Sequence, residues 1–252
     1  MLDRRDLKKV YKDTVDKCSN GKYSKLPHGK SSKYSSQDLK NIKLEPLFDE
    51  TVIEVINEDT FVVCDQLLKT DNDVCALNMA SYLRPGGGVE NGSMAQEEEL
   101  FRRSNYFLTL KPSFYPLNYS EVIYSNCVYI IKDKSYIDIQ EPKKVSMIAA
   151  AALKYPDLTD DKLSYYNQKD YDTMRNTINN IFKVAYINGH KTLVLGAIGC
   201  GAYANPVTQI IKIFNECLEK YNKCFKRIVF AVFSRKDKNF DKFNEFIIRK
   251  LN

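Results

Sequence analysis

From residue 51 onward the chain alternates short apolar runs with amphipathic stretches, and this alternation limits its fold more than any other feature. Residues 51–56, 74–79, 122–132, 145–152, 192–196 and 228–233 read as strands, rich in Val, Ile and Leu or in small buried residues. Between and after them, 60–69, 93–110, 171–187, 206–221 and 240–251 read as helices, with Asp59 placed to cap the first. Strands alternating with helices predict an α/β fold, a three-layer sandwich around a mixed, largely parallel sheet. Ahead of this lies a different stretch. Residues 4–18 carry Leu7, Val10, Tyr11 and Val15 at near-helical spacing, and 19–44 are rich in Ser, Lys, Gly and Tyr. The expectation is an N-terminal helical extension over 1–50, its second half solvated and partly ordered, packed on a catalytic domain over 51–252.

Composition then removes several function classes. The chain has 252 residues, enough for one large α/β unit. Lys and Arg number 38 against 32 Asp and Glu, a net charge of +6. That charge leaves a nucleic-acid-linked substrate possible without supporting it. No apolar run approaches the roughly 18 residues of a membrane span, 145–153 being the longest candidate. The charged start lacks the apolar stretch of a secretory signal. Seven cysteines, an odd number with no C-x-x-C, predict reduced thiols and a cytoplasmic or nuclear setting. Only two histidines occur, His28 in a Lys/Ser/Gly stretch and His190 at a helix end. A clustered zinc site is therefore not expected, nor any other metal or cofactor, and a Ser-His or Cys-His pair would have to use one of those two. Carboxylates and backbone amides are the expected chemical groups.

Two glycine loops follow predicted strands. After 192–195 comes Gly196-Ala-Ile-Gly199-Cys200-Gly201-Ala202-Tyr203, then Asn205 as a candidate N-cap and Pro206 as a first helical residue. A strand, a glycine turn and a helix N-terminus can cradle an anion on backbone amides. The same glycines also suit a tight turn needing positive φ. The spacing is neither the dinucleotide fingerprint nor a P-loop. Glu216 and Glu219, the carboxylates at the right distance for a dinucleotide ribose, lie in the following helix, the wrong place. The other loop runs Arg84-Pro85-Gly86-Gly87-Gly88-Val89-Glu90-Asn91-Gly92 and leads to Ser93, Gln96, Glu97, Glu98 and Glu99. Ser93 and Gln96 have capping-box spacing, which starts a helix at 93. The three glutamates then either complement the helix dipole or stand beside the glycine loop as chemistry.

Taken together, Gly86-Gly87-Gly88, seven intervening residues and Gln96-Glu97-Glu98 resemble the signature of the poly(ADP-ribose) glycohydrolases, in their bacterial-type, single-domain branch. Arg4-Arg5-Asp6-Leu7 with Gly21-Lys22-Tyr23, Leu77-Asn78-Met79-Ala80-Ser81, and Gly199-Cys200-Gly201-Ala202-Tyr203 extend the resemblance over nearly the whole chain. It implies a macrodomain-like sandwich with additional N-terminal helices. It also implies that Glu98 is the acid/base and that Glu97 orients the distal ribose. Asn78, Gly86, Gly87, Gly88, Val89 and Gln96 would line the ADP-ribose site on one side, and Gly199, Cys200, Gly201, Ala202 and Tyr203 would hold the diphosphate. Tyr203 stands where the family usually has Phe, Phe233 resembles its aromatic near the adenosine, and Ser81 replaces a ribose-contacting Asn of many macrodomains. Glu58 and Asp59 are candidate adenine contacts.

The implied reaction is hydrolysis of the ribose–ribose O-glycosidic bond by one glutamate, assisted by the substrate's own diphosphate. A helix N-terminus favours an ionised carboxylate, whereas a general acid must hold its proton. The expectation is that the bound diphosphate and Glu97 supply the opposing negative charge. The expected partners are poly(ADP-ribose) or ADP-ribosylated proteins, with no membrane, and the protein is expected to be a monomer. Two other readings stay open, a hydrolase of mono-ADP-ribosyl conjugates and a non-catalytic ADP-ribose reader.

Overall fold

Seven strands form a single sheet in the computed structural model, which describes residues 2–234 and 238–248. In chain order the elements are α1 (Arg4–Ser19), β1 (Ser31–Tyr34), β2 (Val52–Ile56), α2 (Thr60–Leu67), β3 (Val74–Met79), α3 (Gln96–Arg103) and β4 (Val122–Lys132). Then come β5 (Asp138–Ala150), α4 (Gln168–Ile187), β6 (Thr192–Leu195), α5 (Val207–Lys220), β7 (Arg227–Ala231) and α6 (Asn239–Ile248). The strand order is β1-β4-β5-β3-β6-β7-β2. The pairs β1–β4 and β4–β5 are antiparallel, and β5–β3, β3–β6, β6–β7 and β7–β2 are parallel. The predicted mixed, largely parallel sheet is therefore present.

Period-2 alternation assigns the two faces. Cys75, Leu77, Leu193, Leu195, Ile228 and Phe230 point into a core shared with α4, α5 and α6, where Met174, Ile178, Ile210, Phe214 and Phe243 pack. Their neighbours Val74, Ala76, Val194 and Val229 point the other way, to Phe61, Val63 and Cys64 of α2 and Leu100 and Phe101 of α3. Each such large side chain contributes about 1.5–3 kcal/mol by leaving water, so the two faces together fix three layers. No helix among the described residues is long and apolar enough to cross a membrane.

Several predicted boundaries need correction. The segment 19–44 is docked rather than loosely solvated: Leu39 and Tyr23 are buried, and β1 pairs with β4 as the sheet's edge. β5 begins at Asp138, seven residues before the apolar run that betrays it, because its first half is polar and pairs only with β4. The helix read over 93–110 is much shorter. It ends where Ser104 turns extended and donates its hydroxyl to the Leu100 carbonyl, and it starts at Gln96 rather than at Ser93. Part of the last predicted helix, 249–251, lies outside the described residues.

Candidate active site

The glycine loops leave the C-terminal ends of β3 and β6, which are adjacent parallel strands. In open α/β sheets this edge is where ligands bind. Met79 at the end of β3 comes within 3.4 Å of where a side chain on Gly196 would sit, so the two loops start in contact. They meet again further out. The Tyr203 ring reaches Ser81 and the backbone of Tyr82, with burial pushing its phenol pKa up.

α3 sets the carboxylates. Its N-cap is Ala95, and the Ala95 amide donates to Glu98 Oε2 at 3.0 Å, so Glu98 forms half of a capping box with no serine in it. Glu98 Oε1 accepts from the Gly88 amide at 2.8 Å. Glu97, one residue earlier, faces the sheet. Its Oε1 accepts from Asn78 Nδ2 at 3.1 Å and the Gly86 amide at 3.2 Å, and its Oε2 accepts from the Ser81 amide at 2.7 Å. Glu97 is 2% exposed and Glu98 6%. Burial pushes Glu97 up to about 8; the charge of Glu98 pushes the same way, while the amides of Ser81, Asn78 and Gly86 pull it down without prevailing. Burial thus favours the protonated form of Glu97, against the expectation of a full negative charge there, while the three donors favour the ionised one.

The glycine triplet is required by these carboxylates. A Cβ on Gly87, whose φ is +53°, would lie 2.7 Å from Glu98 Oε1 and 3.1 Å from Glu97 Oε2. A Cβ on Gly86 (φ +73°) would strike the Phe101 ring at 2.6 Å. The amides of this loop are engaged within the protein: Gly86 to Glu97, Gly87 to the Arg84 carbonyl, Gly88 to Glu98 and Val89 to the Gly86 carbonyl. Gln96 ties α3 to β3, accepting from the Met79 amide at 2.9 Å and donating to the Leu77 carbonyl and Thr60 Oγ1. Arg102, fully buried, donates to the Ser93 carbonyl and pairs with Glu99, which anchors the stretch between the triplet and α3.

The second loop is the opposite case. Asn205 does not cap α5, whose N-cap is Pro206. Its Nδ2 instead donates to the carbonyls of Leu153 (2.7 Å), Gly199 and Tyr203 (both 3.3 Å), and its Oδ1 accepts from Tyr165. The loop is thus braced from behind. The Ile198, Cys200, Ala204 and Asn205 amides bond to loop carbonyls. Those of Gly199, Gly201, Ala202 and Tyr203 donate to no acceptor among the described residues. A Cβ on Gly201 would have nothing within 4 Å. Such an array of open amides beside a helix N-terminus has the chemistry to hold an anion.

The structure therefore brings Asn78, Gly86, Gly87, Gly88, Gln96, Glu97 and Glu98 into one hydrogen-bonded unit. Val89 is buried beneath the triplet, and Gly199 to Tyr203 form the facing loop. Asn78 has no exposed surface and acts on Glu97. Phe233 is half exposed just past β7. Ser81 contributes its backbone amide to Glu97. Asp59 is engaged in capping α2 and pairing with Arg103 at 2.7 Å, and Glu58 pairs with Lys134. His190 sits at the far end of the sheet, between Asp73 (2.6 Å) and the Tyr124 hydroxyl (2.8 Å). Neither the Ala95 amide nor Arg102 could have been picked from sequence, because an alanine cap and an arginine in a charged helix carry no signal. No cluster of His, Cys, Asp and Glu able to hold a metal occurs among the described residues.

Residues 11–133 match the family model for the microbial-type PARG catalytic domain, PARG being poly(ADP-ribose) glycohydrolase. A crystal structure of that enzyme from Thermomonospora curvata is similar over 96% of this chain and 99% of its own, with a TM-score of 0.84 at 24% identity. The same enzyme bound to the inhibitor ADP-HPD gives 0.82 at 25% identity over the same shares. A Deinococcus radiodurans poly(ADP-ribose) glycohydrolase in complex with ADP-ribose covers 86% of this chain and 94% of its own, with a TM-score of 0.75 at 26% identity. No curated protein sequence matches the chain.

Proposed function

We propose that this protein is a member of the microbial-type poly(ADP-ribose) glycohydrolase family and uses Glu98 as the single acid/base in cleaving the ribose–ribose bond of its polymer and releasing ADP-ribose. One observation carries this reading: a carboxylate fixed by two backbone amides shares the C-terminal edge of the adjacent strands β3 and β6 with a loop that has four open amides. The loop fits a diphosphate, and the carboxylate fits the anomeric carbon of the attached distal ribose.

The steps balance with one group. Protonated Glu98 gives its proton to the leaving ribose oxygen as the C1″–O bond breaks, and positive charge develops on the distal ribose. The diphosphate, neutralised in part by the second loop's amides, stabilises that charge. Water then adds to C1″ and returns a proton to Glu98. Glu97 takes no proton in this scheme. It holds the Ser81 amide, the Gly86 amide and Asn78 in place and offers its buried edge to the ribose.

The site is complete within one copy, which supports a monomer. Seven cysteines with no C-x-x-C pattern support a reducing, cytoplasmic setting. The test is release of ADP-ribose from labelled polymer. Glu98→Gln is expected to cut turnover at least about 100-fold with ADP-ribose binding retained. Full turnover by that variant would refute the assignment.

A further inference from the structure

The rim beside the second loop carries a group that the reaction does not use. Lys154 lies two residues past the last of the buried alanines that follow β5, and its ammonium lies over two rings, 5.9 Å from the Tyr82 centroid and 5.6 Å from that of Tyr155. No carboxylate pairs with it among the described residues. Tyr155 is 65% exposed and has a φ of +51°, a left-handed conformation that a residue other than glycine disfavours. That backbone is held by the Tyr155 amide, which donates to the Tyr203 carbonyl at 3.0 Å. The rim is therefore tied directly to the diphosphate loop through Tyr203, and to the Glu97 clamp through Tyr82, the residue after Ser81.

We infer that Tyr82, Lys154 and Tyr155 form a second subsite, which takes the ADP-ribosyl unit next to the one being cleaved. The inference rests on the polymer reading above and extends it to chain recognition. A neighbouring unit presents a diphosphate and a flat purine. An ammonium with no carboxylate partner matches the first, and an exposed tyrosine ring matches the second. A cation held over aromatic rings keeps its charge available to an anion, because no carboxylate among the described residues neutralises it. The site would distinguish polymer from a single ADP-ribose, which fills only the cradle between the two loops.

Two variants separate this role from folding. Lys154→Glu reverses the charge, and Tyr155→Gly removes the ring while suiting the left-handed backbone. Binding of long poly(ADP-ribose) is measured by filter retention, binding of ADP-ribose by calorimetry, and turnover on polymer in parallel. Each variant is expected to weaken polymer binding and raise its KM by at least about fivefold, with kcat and the ADP-ribose Kd within about twofold of wild type. Unchanged polymer binding in both variants would overturn the subsite. So would a parallel loss of ADP-ribose affinity, which would assign these residues to the first unit. If the wild type binds polymer without releasing ADP-ribose, the glycohydrolase reading fails, and the binding arm still decides whether the rim grips the chain.

Discussion

The two glycine loops look alike in sequence and do opposite things. Gly86–Gly88 folds inward. Its amides go to Glu97, Glu98 and nearby carbonyls, and its missing side chains make room for those same carboxylates. Gly199–Tyr203 faces outward, with four amides open and free space around Gly201. One loop uses glycine to let the protein approach itself, and the other uses it to keep a surface clear. A glycine loop is thus a binding loop only where its amides lack partners, and that property is invisible in a spacing pattern.

Substitutions should break this contrast in a definite order. Gly87→Ala is expected to have the largest effect, because a methyl group 2.7 Å from Glu98 Oε1 and a φ of +53° both oppose it. Turnover should fall by about 100-fold or more, as for loss of the acid itself, and the melting temperature should drop. A fully active Gly87→Ala would mean the carboxylates do not need that loop. Asn205→Ala removes the brace behind the second loop and leaves three carbonyls without its amide. It should cost about 2 kcal/mol in urea unfolding. Gly201→Ala should leave stability unchanged and weaken ADP-ribose by about tenfold, since the new methyl meets only ligand. Equal losses of stability in the two glycine variants would erase the distinction between the loops.

A smaller effect sharpens the same contrast through pH. Glu97 is raised from the ordinary glutamate range to about 8 by burial, so the folded protein binds a proton that the unfolded chain has released. Stability from this group is full below about pH 4.5 and declines as pH rises through the window up to about 8, by at most about 1.4 kcal/mol per unit. Glu97→Gln should flatten that part of the stability profile, read as melting temperature against pH. An unaltered slope would show Glu97 ionised across the window.

Much of the frame was legible because local and global signals agreed. The apolar six-residue run at 74–79 is β3 to the residue, and Asp59 caps α2 as its position before Thr60 predicted. The misreadings share a cause. Ser93, Gln96 and Asn205 have side chains that suit helix caps, but tertiary partners claim two of them: Gln96 bonds to β3 and Asn205 to three loop carbonyls. Glu98 then takes the capping role from Ala95's side of the loop. β1 escaped notice because Ser31-Ser-Lys-Tyr has no apolar alternation and is held as an edge, with Ser31 Oγ against Ser125 Oγ at 2.7 Å. Glu98, the proposed acid/base, stands in a motif that the sequence displays. Its hydrogen-bond partners, all backbone amides, were not legible there.

A crystal structure of the wild-type protein with ADP-ribose bound tests the central claim most directly. The diphosphate should rest on the amides of Gly199, Gly201, Ala202 and Tyr203, with the Glu98 carboxyl within hydrogen-bonding distance of the C1″ hydroxyl. A diphosphate seated elsewhere, or a Glu98 side chain turned away from C1″, would contradict the account.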